Sequence, residues 1–255
     1  VIHATAIIDP SAKIAEDVEI GPYSIIGPQV EIGPGCNVGP HVVIEACTKI
    51  GANNRFYPFG SIGAETQDKK YRGGNTFLEI GSGNTFREAV TIHRGTNEGG
   101  VTRIGNNNLL MAYSHVAHDC TVGNECTFSN NATLAGHVHV ADHVTLSGFA
   151  AVHQYCRLGS HAFVARASCV LKDVLPYLLV SGHDATVYGL NTVGLQRRGF
   201  SDHTLLQLRR GYKIIFRNNL SVQEAIQQLE GMVQDCPEIA TWIQTMQDTE
   251  RGFTR

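Results

Sequence analysis

From Ile2 onward a large apolar residue returns at every sixth position, through Ile8, Ile14, Ile20, Ile26, Ile32, Val38, Ile44, Ile50, Phe56 and Ile62. The series resumes at Ile80, Phe86 and Ile92, and again from Ile104 through Leu110, Val116, Val122, Phe128, Leu134, Val140, Leu146, Val152, Leu158 and Val164 to Val170. A period of six is neither the 3.6 of a helix nor the two of an extended strand. It describes a short strand that points one aliphatic side chain inward and then bends. Gly follows many of the apolar residues, as in Ile20-Gly21, Ile50-Gly51, Ile104-Gly105 and Val122-Gly123, and Asn, Pro and Asp fill the next places, which suits a turn. Three hexads close a triangular coil of about 18 residues, and stacked coils place parallel strands about 4.8 Å apart around a continuous aliphatic core. The expected fold class is an all-β left-handed parallel β-helix over residues 1–176, followed by a small α-helical C-terminal domain.

Two stretches break the period, at about 67–79 and 95–103, both rich in Gly, Asn, Thr and charge. They read as loops ejected from the helix, and loops that interrupt so regular a scaffold are candidate binding elements. Beyond Pro176 the period stops and helical signals begin over 177–255. Ser201 is placed to cap a helix through Thr204, Leu205, Leu206 and Leu208. Ser221 and Glu224 have capping-box spacing before Ala225, Ile226, Leu229, Met232 and Val233. Such a domain would cover the open end of the solenoid, where strand edges are otherwise exposed.

Composition narrows the function classes. A chain of 255 residues with 42% hydrophobic residues can bury a large core, and a net charge of −3 argues against nucleic-acid binding over the whole surface. Seven cysteines, with no C-x-x-C pair, suggest neither a zinc ribbon nor a disulfide framework, and a reducing cytoplasm fits them. No run of apolar residues is long enough for a membrane span, and the first residues carry no export signal.

The coil period makes the relative positions of the twelve histidines calculable. Val116, Leu134 and Val152 are equivalent, so His118, His137 and His153 fall on one face of three successive coils, with Gly136 and Gln154 in the column of His118 and His115 at the corner before it. Imidazole titrates near neutral pH, which makes His118 a candidate general base. The backbone N–H of Gly136 is a candidate oxyanion donor one coil above. Asp119 is adjacent to His118, and alternation along a strand would turn it to the opposite face. The same histidines could instead converge on zinc. Arg197, Arg198, Arg209, Arg210, Lys213 and Arg217 form a basic cluster against the single acid Asp202, suited to a phosphate or an acidic protein.

These residues resemble a known family. Gln67-Asp68-Lys69-Lys70-Tyr71, Ile92-His93-Arg94-Gly95-Thr96, His115-Val116-Ala117-His118-Asp119-Cys120, Leu134-Ala135-Gly136-His137-Val138, Val152-His153-Gln154 and Arg197-Arg198-Gly199-Phe200 look, in this order, like the bacterial UDP-N-acetylglucosamine 3-O-acyltransferases, which open lipid A synthesis. The resemblance covers essentially the whole chain. It implies a cytoplasmic homotrimer with sites between adjacent helices, acyl-acyl carrier protein as donor, and neither metal nor other cofactor. It implies that His118 is the base and that Gly136 holds the oxyanion. Asp68, Gln67, Lys70, His115, His137, His153 and Gln154 would shape the sugar and thioester site. Asn191, Arg197 and Arg198 would meet the nucleotide or the pantetheine arm, and the basic cluster would dock the carrier protein. Two positions depart from the family pattern. Val193 stands where Glu is usual, and Arg166 falls where Gly commonly floors the acyl channel, which predicts a shorter acyl chain. The competing readings are an acyltransferase using a 3-amino sugar, the later N-acyltransferase of the same pathway, which carries an additional uridine-binding domain, a β-helix metalloenzyme of the carbonic-anhydrase type, and a structural solenoid. The last would carry regular Thr columns, which are missing.

Overall fold

The computed structural model describes all 255 residues. Short parallel strands stack into three flat sheets of nine, eight and ten strands, which form the sides of a triangular left-handed β-helix. Partners on successive coils are 18 residues apart where nothing intervenes, as Ile7 with Ile25 and Val122 with Val140. The expected inward column is buried from Ile20 to Val170, while Ile2, Ile8 and Ile14 at the open first coil remain partly exposed. Each fully buried aliphatic side chain contributes about 1.5–3 kcal/mol relative to exposure.

A second inward column, two residues before the first, is not evident from the large apolar residues alone. Val18, Val30, Val42, Val90, Cys120, Cys126, Ala132, Val138, Val144, Ala150 and Cys156 fill it, nearly all fully buried. It sits at the vertices of the triangle and holds mostly small or β-branched side chains. None of the seven cysteines is paired, and burial pushes the Cys120 and Cys126 thiols up to about 12, so they are packing groups. Three members of this column are amides. The Asn54 Oδ1 accepts from the Asn84 N–H and side chain at 3.0 and 2.9 Å, the Asn84 Oδ1 accepts from the Asn108 N–H at 2.8 Å, and the Asn108 Oδ1 accepts from the Cys126 N–H at 2.7 Å.

The corners turn through left-handed backbone. At most corners from Ile20 onward the residue three after the inward aliphatic has φ between about 53° and 73°, and most are not glycine, including Tyr23, His41, Asp119, His137, His143, Tyr155 and His161. That conformation costs a non-glycine residue about 1–2 kcal/mol. Most corners offset part of the cost by donating their N–H to the corner below, as His137 to the His118 carbonyl at 3.0 Å and Tyr155 to that of Gly136 at 3.1 Å.

The interruptions are shorter than their sequence suggests. Phe77–Ile80 and Val101–Ile104 are four-residue strands that pair in register, so the ejected segments are 65–76 and 94–100. The end of the helix lies beyond Pro176. Leu178–Ser181 adds a last parallel strand to Phe163–Val164, and Thr186–Leu190 returns antiparallel along it. Strand addition therefore blunts the sheet edge before any helix begins.

Four helices follow: α1 (Thr192–Arg197), α2 (Asp202–Phe216), α3 (Val222–Glu230) and α4 (Ile239–Asp248). Ser201 caps α2 and Ser221–Glu224 form a capping box, as their spacing predicts; α3 stops at Gly231, short of Met232. Trp242, fully buried, donates its indole N–H to the Pro176 carbonyl at 2.7 Å and so fixes α4 to the end of the solenoid. The chain end returns to the last coil, where Asp173 takes the Arg157 N–H and the Thr249 hydroxyl on its two carboxylate oxygens and exchanges backbone bonds with Gly252 and Thr254. No helix is long and apolar enough to cross a membrane.

Candidate functional site

The corner joining the first and second sheets gathers the polar chemistry. Val116 is buried at the end of its strand, and the chain leaves it through Ala117 into the turn that carries His118 and Asp119. Asp119 does not point away from His118. Alternation holds within a strand, but Asp119 has φ 58°, and this left-handed turn brings its carboxylate back beside its neighbour. The His118 Nδ1 lies 2.9 Å from Asp119 Oδ2. The Asp119 N–H donates to the Thr102 hydroxyl at 2.8 Å, and its Oδ1 accepts the Thr96 N–H at 3.3 Å. The pair is thereby held from both sides.

With Nδ1 engaged by a carboxylate, the neutral imidazole keeps its proton there and leaves Nε2 as the basic atom. The ring lies against Gly136. A Cβ at that position would come within 2.4 Å of His118 Cε1 and 2.5 Å of Nε2, so only glycine leaves room for the ring. The Gly136 N–H makes no hydrogen bond within the chain. A free donor and a basic nitrogen thus stand next to one another, which is the arrangement a proton transfer coupled to a developing oxyanion requires.

Other histidines close around the pair. His137 meets His118 edge-on at 5.1 Å, stacks on Tyr155 at 4.6 Å, and has its Nε2 3.8 Å from Asp119 Oδ2. His115 holds Thr91 Oγ1 at 2.7 Å and meets His93 edge-on at 4.9 Å. Burial, reinforced by the neighbouring imidazoles, lowers His93 to about 4, and burial lowers His115 in the same direction. Both are neutral at pH 7. His93 was legible as one residue past Ile92, in register with Ala117, but the ejected loop hides that equivalence in a count by 18.

The remaining candidates are placed unequally. His153 and Gln154 share the face two coils above the pair; the His153 Nδ1 is 3.1 Å from the Gln154 carbonyl, and His153 joins none of the ring stacks. Gln67 and Lys70 are exposed on the first loop, and Asp68 accepts the Lys70 N–H at 2.8 Å. That loop touches the second through Asn75 and Glu98, and the second reaches Asp119 through Thr96. Asn191 caps α1 through the Gly194 N–H and donates to the His161 carbonyl at 3.0 Å. Arg198 binds Glu125 and His143, whereas Arg197 is free and exposed. Val193 and Arg166 are exposed. The cationic residues of α2 and its C-cap also face outward: Arg209, Arg210, Lys213 and, at the cap, Arg217. A groove of about 820 Å³ begins at Asp119 and His137 and runs past Tyr155 and Arg157 to Glu250 and Arg251.

Known proteins match the chain from end to end. Residues 1–34 and 102–136 match the bacterial transferase hexapeptide repeat, and residues 173–254 match the second domain of UDP N-acetylglucosamine O-acyltransferase. A Pseudomonas entomophila protein named acyl-[acyl-carrier-protein]–UDP-N-acetylglucosamine O-acyltransferase is 50% identical over 255 residues, covering 100% of this chain and 99% of that relative. The structure of UDP-N-acetylglucosamine O-acyltransferase from Moraxella catarrhalis superposes with a TM-score of 0.97 at 45% identity, over 100% of this chain and 99% of the other. UDP-N-acetylglucosamine acyltransferase from Francisella novicida gives 0.97 at 40% identity, over 100% and 94%.

Proposed function

Because this chain belongs to the family of acyl-[acyl-carrier-protein]–UDP-N-acetylglucosamine O-acyltransferases, we propose that it moves a 3-hydroxyacyl chain from acyl carrier protein to the 3-hydroxyl of UDP-N-acetylglucosamine, the step that opens lipid A biosynthesis, with His118 as general base. The observation that carries the mechanism is the His118–Asp119 pair set against a free Gly136 N–H. Asp119 keeps the proton on Nδ1, and Nε2 accepts the hydroxyl proton as the sugar oxygen attacks the thioester carbonyl carbon. The charge that develops on the carbonyl oxygen meets the Gly136 N–H. Collapse of the tetrahedral intermediate breaks the C–S bond. The proton on Nε2 passes to the departing thiolate, and His118 ends as it began. The activated acyl group arrives on the carrier protein, so no cofactor is required. Relatives named for UDP-N-acetylglucosamine and matched end to end favour a hydroxyl acceptor over a 3-amino sugar.

His115, His137, His153 and Gln154, with Asp68, Gln67 and Lys70 on the first loop, are assigned to the sugar and the thioester arm. Arg197 is the stronger candidate for the nucleotide or pantetheine phosphate, because Asn191 and Arg198 already have partners in the chain. Val193 withdraws a carboxylate from the same region. The outward cations of α2 suit an acidic carrier protein. A homotrimer with sites between neighbouring helices is supported by Tyr23, Phe59, Tyr113 and Phe149, exposed along the corner between the third and first sheets, where a second copy would cover them.

The test is transfer to UDP-N-acetylglucosamine from a panel of 3-hydroxyacyl carrier proteins. His118→Ala is expected to lose about 10²–10⁴ in rate with its melting temperature little changed. A folded wild type that transfers from no donor, or a variant as fast as wild type, overturns the assignment. Arg166→Gly is expected to shift the preferred acyl chain to greater length, and an unchanged preference would sink the idea that Arg166 shortens the channel.

A further inference from the structure

His118, Asp119 and His137 converge more closely than proton transfer requires. Each offers one ligand-type atom, and the three atoms lie within 4.8 Å of one another. The His118 Nδ1 and the His137 Nε2 approach the same Asp119 oxygen at 2.9 and 3.8 Å. Zinc takes imidazole nitrogen and carboxylate oxygen at about 2.0–2.2 Å, which sets neighbouring ligand atoms about 3–4 Å apart. The two contacts to Asp119 Oδ2, at 2.9 and 3.8 Å, already lie close to that spacing.

We propose that this corner is an inhibitory site for a borderline divalent cation, zinc foremost, with His118, Asp119 and His137 as ligands and the next position open to the groove. Two imidazoles and one carboxylate suit zinc, copper or nickel; magnesium and calcium prefer sets made wholly of oxygen. The supports of a metal site are also in place. The Thr96 N–H fixes the second carboxylate oxygen, the Thr102 hydroxyl accepts the Asp119 N–H, and Tyr155 lies flat against His137 at an interplanar angle of 5°.

Coordination would silence the base through its tautomer. The metal needs the lone pair of His118 Nδ1, so the imidazole proton moves from Nδ1 to Nε2. Nε2 then presents an N–H toward Gly136 and can no longer accept a hydroxyl proton. The inhibitory half of the inference rests on the acyl-transfer reading above, whereas the binding half does not.

The experiment separates the two. Full-length chain, freed of metal and without substrate, is titrated calorimetrically with zinc chloride. One equivalent is expected, weakened more than about tenfold in His137→Ala and in Asp119→Asn, since loss of even an outer-shell partner costs about 10–100-fold. His203→Ala removes an exposed His–Asp pair elsewhere, His203 with Asp235 at 3.1 Å, and should leave the titration unchanged. A rise in the wild-type melting temperature with zinc is the second readout, and it does not depend on any variant folding. In the transfer assay zinc should suppress turnover and a chelator restore it. No bound equivalent, or equal affinity in His137→Ala and Asp119→Asn, overturns the site. Zinc bound by these residues while transfer proceeds unaffected overturns the inhibition. Transfer absent even with chelator overturns the acyl-transfer reading and leaves the site standing.

Discussion

The corner between the first and second sheets carries Asp119, His137 and Tyr155 on successive coils, while the corner between the second and third carries Glu125, His143, His161 and then Tyr177. Both columns hold an acid, then histidine, then an aromatic ring, all on left-handed backbone, and in both the rings stack at about the same spacing: His137 on Tyr155 at 4.6 Å and His143 on His161 at 4.6 Å. They differ in what lies against them. The first opens into a groove. The second is covered by the chain that follows α1, where Arg198 reaches Glu125 at 3.2 Å and His143 Nδ1 at 2.6 Å, and Phe200 lies edge-on to His161. The residue before the acid matters too. His118 precedes Asp119, and Asn124 precedes Glu125, so only at the first corner does the residue beside the acid supply the imidazole; at the second, the ring near the acid is His143 one coil on, its Nδ1 3.3 Å from Glu125 Oε2 and also held by Arg198. An acid and a histidine one coil apart are therefore not in themselves a site; in the second column they are the socket that holds the helical domain.

Three changes would break or sharpen this contrast. The largest effect is expected from Gly136→Ala, whose methyl group must displace the His118 ring. Transfer should fall about 10²–10³-fold, comparable to the loss of an oxyanion-hole donor, and Gly136→Ala added to His118→Ala should cost almost nothing more. Steady-state rates of the two single variants and the double variant decide it. In the second column, His143→Ala should leave turnover within about threefold and lower unfolding free energy by about 1 kcal/mol, read from urea midpoints. A collapse of turnover in that variant would erase the distinction between the columns.

The smallest effect concerns acid. Burial first, and then the nearby His143 and Arg198, lower His161 to about 4, whereas in the unfolded chain an ordinary histidine protonates near 6.5. Between those values the unfolded state binds the extra proton, so this contribution to stability is complete above about pH 6.5 and is lost as pH falls toward 4. His93, also lowered to about 4 by burial, acts in the same direction. Replacing His161 by Phe, which preserves the stack, should make the fall in melting temperature between pH 7 and pH 4.5 shallower than in wild type. An equally steep fall would assign the acid sensitivity elsewhere.

The sequence shows the inward column directly, because one aliphatic residue per six has no other explanation. It shows the face of His118 and Gly136 for the same reason, since counting by 18 is geometry. Asp119 was misplaced because the alternation rule was carried past the end of a two-residue strand into a left-handed corner. The Glu125–His143–His161 column obeys the same count and could have been found by it; what covers it could not, because Arg198 lies 73 residues from Glu125 and nothing local announces the contact. The boundary at Pro176 fell short since the last strand, Leu178–Ser181, is set by pairing with Phe163–Val164 and a returning partner, and no longer by the six-residue period.

The asparagine ladder has a bearing on how the chain finds this arrangement at all. Coils that resemble one another invite mispairing, in which a strand docks one level too high or too low and still satisfies its aliphatic contacts. Asn54 meets Asn84 across 30 residues and Asn84 meets Asn108 across 24, the two levels at which an ejected loop upsets the regular count of 18. No other asparagine occupies that inward column. A chain that skipped or doubled a level there would seal a carboxamide among valines and cysteines with nothing to bond, at about 1–3 kcal/mol for each stranded group. The three amides thus work as keyed joints, admitting only the assembly in which the loops, and with them the segment that steadies Asp119, emerge at the level of the histidines.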